Sequence, residues 1–392
     1  MCERDDGKLW GKSICGPIMF VDSASRVLVA NRRPGEGTSA AVPGVFASLL
    51  PPKQTISNTS IKWNGLGWSQ VMWPLPDDPV ARRILLAHES FHRLQDELGL
   101  TLATPGGNAH LDTLKGRLWL QLEWRALARA LKASGAARRQ AVEDALSFRA
   151  ERRKEFSNAA KEERRLELGE GLAQYTGIKL AAADAQEQES LAVRELELGA
   201  GQPSYVRSFA YASGPAYGLL LDETGVAWRT KATRELDLAE ALGQAYRISI
   251  PRAVSSLAEA RAPEYQGTEL RKAEEAREAE CAARVAEYRR KLVEGPVLRL
   301  PLIHPNLQFD PRTLVPLGPK QTVYPKVQLI DAWGTLDVNG ALLVDWEAHM
   351  AVVPAPVSKT EPLSTPEWSL VLEQGWTAEP DQRPGDFRLR KQ

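Results

Sequence analysis

The spacing of apolar residues changes twice along the chain, from strand-like to helical and back to strand-like. From about residue 8 to 76, short runs rich in Trp, Val and Ile are separated by Gly, Pro, Asn and Ser. Such runs are typical of short strands joined by turns. We therefore predict an N-terminal β-rich region over residues 1–76, arranged as a β-meander.

A helix is predicted to begin where this region ends. Asp77, Asp78 and Pro79 are a strong start signal, because aspartate caps free amide groups and proline suits the first helical turn. Gly99 can serve as the C-terminal stop. Between these ends, apolar residues recur at helical spacing: Ile84, Leu85, Phe91, Leu94 and Leu98.

The middle of the chain is almost wholly helical in composition from residue 111 to 294. Breaks between helices are expected at four points: residues 134–135, 199–203, 222–225 and 251. Two charged segments, residues 149–153 and 161–165, mix both signs along a helix. We interpret them as solvated helix faces.

After residue 295 the strand-like pattern returns, and Asn339 followed by Gly340 indicates a hairpin turn. The predicted fold class is therefore α+β. An α-rich domain over residues 77–294 is flanked by the β-rich region over 1–76 and by a small C-terminal β-rich domain over 295–392. The tail of this last domain is rich in Pro and Glu and is expected to be extended.

Charge and hydropathy argue against two classes of partner. Lys plus Arg number 50, as do Asp plus Glu, so no net field attracts nucleic acid. No stretch approaches the roughly 18 apolar residues of a membrane-spanning helix, and we expect no transmembrane segment. The first residues lack the apolar core of a signal peptide, and Cys2 follows Met1 directly. We expect either a cytoplasmic protein or an exported one, periplasmic or a lipoprotein, whose signal has been removed.

The most specific pattern in the chain is an HExxH motif formed by His88, Glu89 and His92. Positions i and i+4 lie nearly above one another on a helix, so two imidazoles placed there can bind one zinc ion, with the glutamate beside the metal. The opposing interpretation is a surface helix with two merely polar histidines. That interpretation requires the two histidines and the glutamate to have this spacing by chance, inside a capped amphipathic helix.

A catalytic zinc ion needs a third protein ligand and an open position for water. Residues 166–175 carry carboxylates followed by small residues, which allow close approach to another helix. Glu170 is the preferred ligand, and Glu167, one turn earlier, is the competing one. The small residues Gly171 and Ala173 beside Glu170 favour a crowded interior position over an exposed carboxylate.

The combination resembles the gluzincin metallopeptidases, in which a glutamate from a second helix completes an HExxH site. Residues 169–173, Gly-Glu-Gly-Leu-Ala, are similar to the N-E-G-F-A motif of many of these enzymes. The resemblance implies a zincin-like catalytic domain that holds one zinc ion through His88, His92 and Glu170. It also implies hydrolysis of peptide bonds in a peptide or protein substrate, with Glu89 as general base for a metal-activated water.

The tetrahedral intermediate of such a reaction needs a further hydrogen-bond donor besides the metal. Gluzincins often use a tyrosine, and Tyr211 and Tyr217 lie on either side of a Gly-Pro break. Tyr211 is the first choice and Tyr217 the second, while the alternative for both is packing with a satisfied hydroxyl. His110 and Asp112 are interpreted either as contacts behind the metal ligands or, more simply, as the cap of a helix.

Two other functions remain open at this point. In the first, the chain is a non-catalytic binding or scaffold protein with a structural or degenerate zinc site, for which a closed site with four ligands would be the mark. In the second, a zinc hydrolase acts on a substrate other than a peptide and differs only in its pocket.

Overall fold

The computed structural model describes residues 5–35, 38–51, 54–100, 107–251, 253–309, 313–318, 320–357 and 363–392. The fold class is α+β, with a helical region between an N-terminal and a C-terminal sheet. Contacts divide the chain into two compact units, Met1–Glu274 and Glu275–Gln392. Among the described helices, none combines the length and the apolar character needed to cross a membrane.

The N-terminal sheet has six strands: β1 (Ile18–Asp22), β2 (Val27–Ala30), β3 (Ser39–Val42), β4 (Val45–Leu49), β5 (Thr59–Trp63) and β6 (Leu66–Trp73). Their order in the sheet is β3-β4-β2-β1-β6-β5, and β1 and β6 are parallel. The prediction of a β-meander is therefore wrong, because β2 pairs with β4 instead of β3, and the β5–β6 hairpin joins the sheet at β1 instead of at β4. Asn64 and Gly65, both with positive φ, form the two-residue turn of the β5–β6 hairpin, which leaves β5 at the edge.

Helix α1 (Pro79–Gln95) follows the sheet and begins as predicted. The Asp78 side chain accepts hydrogen bonds from the amides of Val80 and Ala81, and Pro79 occupies the first turn. The helix proper ends at Gln95, four residues before the predicted stop at Gly99. Its buried residues include four polar ones, His88, Glu89, Ser90 and Gln95, and the candidate chemistry lies among them.

The remaining helices are α2 (Leu114–Lys132), α3 (Gly135–Glu155), α4 (Ala159–Leu166), α5 (Leu172–Ala181), α6 (Ala185–Ala200), α7 (Phe209–Glu223), α8 (Leu238–Tyr246), α9 (Val254–Arg261) and α10 (Gly267–Arg289). Each of the four predicted breaks falls at or between helix ends, three of them overlapping a terminal residue or two of a helix. A π-helical turn, Glu167–Gly171, joins α4 to α5. The helices share one apolar core with α1, which contains the buried rings of Trp119, Trp124 and Phe148.

Glycines set the distances between α1, α5 and α7. A Cβ at Gly177 on α5 would lie 2.9 Å from the Ile84 carbonyl oxygen on α1. A Cβ at Gly214 on α7 would lie 2.3 Å from the Cα of Gly171 in the π-turn. No side chain fits at either contact, so the backbones of these elements touch directly. The helix that follows the π-turn is therefore packed against both of its neighbours.

Charged residues form a buried network inside the helical region. Arg152 pairs with Glu123 at 2.5 Å and with Glu163 at 2.7 Å, and all three side chains are fully buried. Arg149 pairs with Glu123 at 3.1 Å and also contacts both carboxylate oxygens of Glu167. The interpretation of residues 149–153 and 161–165 as solvated faces is therefore wrong for these members, because their partners on neighbouring helices neutralise them in the core.

The predicted domain boundaries differ from the compact units. Residues 1–76 are not separate, since β5 and β6 pack on α1 within the first unit. The second unit begins inside α10 and not at residue 295. The reason is that Val285, Tyr288 and Leu292 pack into the core of the C-terminal sheet.

The C-terminal sheet contains ten strands among the described residues: β7 (Val297–Pro301), β8 (Asn306–Phe309), β9 (Val315–Gly318), β10 (Gln321–Asp331), β11 (Gly334–Asp345), β12 (Met350–Pro354), β13 (Leu363–Thr365), β14 (Trp368–Leu372), β15 (Trp376–Pro380) and β16 (Phe387–Lys391). The predicted turn at Asn339 and Gly340 is wrong, because both lie within β11. The pairing of β10 with β11 shifts register opposite them, between Tyr324 and Lys326, which is the signature of a β-bulge.

Candidate metal centre

Two imidazoles from one helix and a carboxylate from a distant segment meet at the buried face of α1. The Nε2 atoms of His88 and His92 lie 3.0 Å apart. The Oε2 atom of Glu170 lies 3.4 Å from His88 Nε2 and 3.3 Å from His92 Nε2. The three residues form a group with the composition and spacing of a metal site, and they are the residues that the sequence analysis selected.

The position of Glu170 follows from the π-turn. This turn adds one residue to the helical repeat, and such insertions are frequent at functional sites. Glu167 and Glu170 consequently point in different directions from the same turn. Glu170 faces the histidines, whereas Glu167 is buried against Arg149 and is not part of the group. The competing assignment of Glu167 as a ligand has no support in this geometry.

The second nitrogen of each imidazole is held by a glutamine. His88 Nδ1 lies 2.9 Å from Gln174 Oε1, and His92 Nδ1 lies 2.9 Å from Gln95 Oε1. An amide oxygen can only accept, so each Nδ1 carries a hydrogen; the neutral ring then keeps a lone pair at Nε2, whereas the protonated ring donates from Nε2 as well. The Gln95 amide group in turn donates to the carbonyls of Leu168 and Gly169, which fixes α1 against the π-turn.

Tyr211 on α7 completes one side of the group. Its hydroxyl donates to Glu170 Oε2 at 2.7 Å, and its ring stacks on the His88 ring with the centroids 5.4 Å apart. Burial alone would raise the pKa of Glu170, but hydrogen bonds from His88, His92 and Tyr211 outweigh it and lower the pKa far below its ordinary value. Glu170 is therefore held as a carboxylate, the form that can bind a cation.

Glu89 lies on the same buried face but outside this set of hydrogen bonds. Its side chain is buried, and its Oε2 atom has no hydrogen-bond partner in the part of the chain that the structure describes. Burial raises the pKa of Glu89, against the opposing charges of His88 and His92. A buried carboxylate oxygen without a hydrogen-bond partner lowers the stability of the folded protein. Buried polar atoms are rarely left in this state, and those that are point to a role in binding or proton transfer.

These side chains open into a cleft of about 950 Å³. One wall is formed by the segment that leads into β5 and by β5 itself, including Ser57, Thr59 and Lys62. The lining also includes Glu195 from α6 and Arg207 from the residues before α7. Residues of an edge strand and of several helices thus line the cleft together.

The other predicted residues lie elsewhere. Tyr217 is fully buried, its hydroxyl donates to Glu123 at 2.9 Å, and it does not line the cleft. Its predicted role as a second donor at the site has no support here, since the hydroxyl is already used in the ion network. His110 pairs with Glu163 at 3.0 Å. Asp112 accepts from Ser204 and Tyr205 and does not cap α2, a role that Thr113 fills.

Four side chains at the site were missed by the sequence analysis: Gln95, Gln174, Glu195 and Arg207. A signal was present for two of them. Gln95 stands three residues after His92 and Gln174 four residues after Glu170, spacings that place each on the same helix face as its neighbour. Glu195 and Arg207 carry no comparable local signal.

Comparisons of the chain with models of protein families, with curated proteins and with solved structures found no significant match. The function is therefore inferred from the site itself.

Proposed function

We propose that this protein is a zinc-dependent metallopeptidase in which His88, His92 and Glu170 hold the ion and Glu89 is the general base. One observation carries the proposal: donor atoms from two distant segments converge on one point, and a buried, unpartnered carboxylate oxygen lies beside them. A structural site has no need of that carboxylate, whereas a hydrolytic site requires it.

The donor set fits zinc. Nitrogen and oxygen ligands at about 2.0–2.1 Å in a tetrahedral arrangement lie about 3.3–3.4 Å from one another. The observed separations of 3.0, 3.3 and 3.4 Å are close to this value. Two imidazoles and one carboxylate, each oriented by a further hydrogen bond, are typical of catalytic zinc sites, which keep a fourth position open.

When bound, zinc would supply Lewis acidity towards a carbonyl oxygen and would lower the pKa of water. The residues of the chain perform the proton transfers. Glu89 accepts a proton from the attacking water at its Oε2 atom. It then delivers this proton to the amine nitrogen that leaves when the peptide C–N bond breaks. The Tyr211 hydroxyl donates its one hydrogen to Glu170 Oε2, so its proposed role as donor to the developing oxyanion requires that this hydrogen bond be given up when Glu170 binds the ion.

The walls of the cleft support a peptide as the substrate class. β5 is the last strand in the sheet order and pairs with β6 on its inner side, so among the described residues its outer edge has backbone amides and carbonyls without strand partners. Thr59, Ser60 and Lys62 of this strand line the cleft. An extended peptide can pair with such an edge through main-chain hydrogen bonds.

The test begins with metal content and hydrolysis. Purified protein is expected to hold about one zinc ion per chain and to cleave a mixed peptide library, with products read by mass spectrometry. Glu89→Gln is expected to retain zinc and lose cleavage by at least about a hundredfold. Tyr211→Phe is expected to retain zinc and lower kcat, while Glu170→Gln is expected to lose zinc.

The matched control is Glu197→Gln on α6, a carboxylate outside the cleft that pairs with Lys132 at 3.8 Å. It should behave as the wild type. Full activity of Glu89→Gln would remove Glu89 from the mechanism. Zinc bound stoichiometrically by a wild type that cleaves nothing in the library would overturn the peptidase proposal in favour of a binding protein.

A further inference from the structure

One carboxylate in the cleft has no role in holding the metal. Glu195 on α6 is half-buried and lines the cleft with His88, Glu89 and Gln174, but it does not belong to the His-His-Glu group. Within the described part of the chain, no lysine or arginine forms an ion pair with it. It is therefore a carboxylate at the site that has no direct ion-pair partner among the described residues.

The cationic side chains that line the cleft each lie beside an acidic residue. Lys62 lies 3.3 Å from Asp96, and Arg93 lies 3.3 Å from Glu97. Arg207 Nη2 lies 3.5 Å from Glu170 Oε1. Because these cations already have acidic partners, none of them is directed at Glu195.

The immediate contacts of Glu195 orient it without neutralising it. Gln174 presents its oxygen to His88 Nδ1, so its amide group is the end that donates to Glu195. Burial raises the pKa of Glu195, and the Gln174 hydrogen bond and the more distant charges of Arg194 and His88 offset this only in part. A partly buried carboxylate in this state gains stability when a cation binds beside it.

We propose that Glu195 binds a positively charged group of the substrate, an ammonium or a guanidinium, next to the metal centre. This inference rests on the proposed peptidase function and assigns its substrate preference. Two sources supply the same chemistry: the side chain of lysine or arginine, and the free amino terminus of a peptide. The first would make Glu195 a side-chain specificity residue, and the second would limit cleavage to residues near an amino terminus.

The experiment compares wild type, Glu195→Gln, Glu195→Lys and Glu197→Gln. Cleavage sites in the mixed peptide library identify one good substrate, which is then synthesised in four forms, with lysine or acetyl-lysine at the selected position and with a free or acetylated amino terminus. Acetylation removes the charge and retains the rest of the group. The measured quantity is the ratio of kcat/KM between charged and acetylated forms, together with zinc content.

Wild type is expected to favour the charged form by on the order of tenfold or more, as for a partly buried charge pair. Glu195→Gln is expected to bring the ratio close to one, and Glu195→Lys to invert it, with zinc content as in wild type. Glu197→Gln, the same change two residues along α6, should keep the wild-type ratio. The source of the charge is identified by which acetylation lowers kcat/KM, that of the lysine side chain or that of the amino terminus.

Cleavage by wild type with a ratio that Glu195→Gln leaves unchanged would overturn this inference and leave the peptidase proposal intact. If no library peptide is cleaved, a short lysine-containing peptide is synthesised in the same four forms, and its binding to the Glu89→Gln variant is measured by calorimetry, which needs no hydrolysis. Charge-dependent binding that Glu195→Gln abolishes would support the cation site even without cleavage. Binding that is equal for all four peptides would overturn it.

Discussion

The contact between the π-turn and α7 depends on two glycines, and one added methyl group would disrupt it. A Cβ at Gly214 would lie 2.3 Å from Gly171 Cα and 2.5 Å from its carbonyl oxygen. Contacts below 3.0 Å essentially never occur, and ordinary contact begins at 3.4 Å. In Gly214→Ala the two backbones therefore have to separate by about 1 Å, because neither has a flexible side chain that can move aside.

The expected magnitude combines two opposing effects. Alanine is favoured over glycine in a helix by about 1 kcal/mol, whereas overpacking of a close contact costs about 1–3 kcal/mol. Since the atoms met are backbone, we expect a cost at the upper end and a net loss of about 1–2 kcal/mol in the free energy of unfolding. The separation also moves Glu170 from the histidines. Metal–ligand distances can depart from their usual values by only about 0.2 Å. Zinc affinity should therefore fall by about tenfold to a hundredfold.

Denaturant unfolding of the zinc-free protein and competition with a chelator measure the two effects separately. The matched control is Gly169→Ala, also next to Glu170, where an added Cβ meets nothing within 4 Å. It should be neutral or stabilising by up to about 1 kcal/mol and should keep zinc affinity. If Gly214→Ala and Gly169→Ala behave alike in both measurements, the close contact does not set the position of Glu170.

Two further predictions concern groups behind the site. Gln174→Leu removes the acceptor for His88 Nδ1 and should weaken zinc binding by about tenfold to a hundredfold in the same competition assay; unchanged affinity would mean that His88 is oriented by other contacts. Burial acts to raise the pKa of Glu163, but Arg152 and the other partners of Glu163 outweigh it and hold the pKa well below the ordinary value of 4.5. Its contribution is therefore full above about pH 4.5 and is lost as pH falls towards the folded-state pKa. Glu163→Gln should cost about 3–5 kcal/mol at pH 7 and should show a shallower loss of unfolding free energy below pH 4.5 than wild type; parallel profiles would contradict this assignment.

The parts of the site that could be predicted are those set by local spacing. His88, Glu89 and His92 share one face of a helix because of their sequence separation alone, and the Asp78 cap fixes where that helix starts. Glu170 was identifiable from the small residue that follows it. Gly171 indeed lies in a close contact with the neighbouring helix.

The parts that could not be predicted depend on partners distant in sequence. The charges of Arg149 and Arg152 are consistent with a solvated helix until Glu123, on a different helix, is known to face them. The parallel pairing of β6 with β1 is likewise non-local, which is why a meander was predicted. The sequence offered both Tyr211 and Tyr217, in that order, and the direction of each hydroxyl, towards Glu170 or towards Glu123, separates them in the structure.

The π-turn joins two regions that a designer would treat as independent. Replacing a buried ion network with apolar side chains often leaves a protein as stable or more stable. Here Glu167 ties the network to the same five residues that carry Glu170. Apolar substitutions in this network, chosen only for thermal stability, would therefore release the backbone that holds Glu170 against the histidines. The protein would gain stability and lose the geometry of the site.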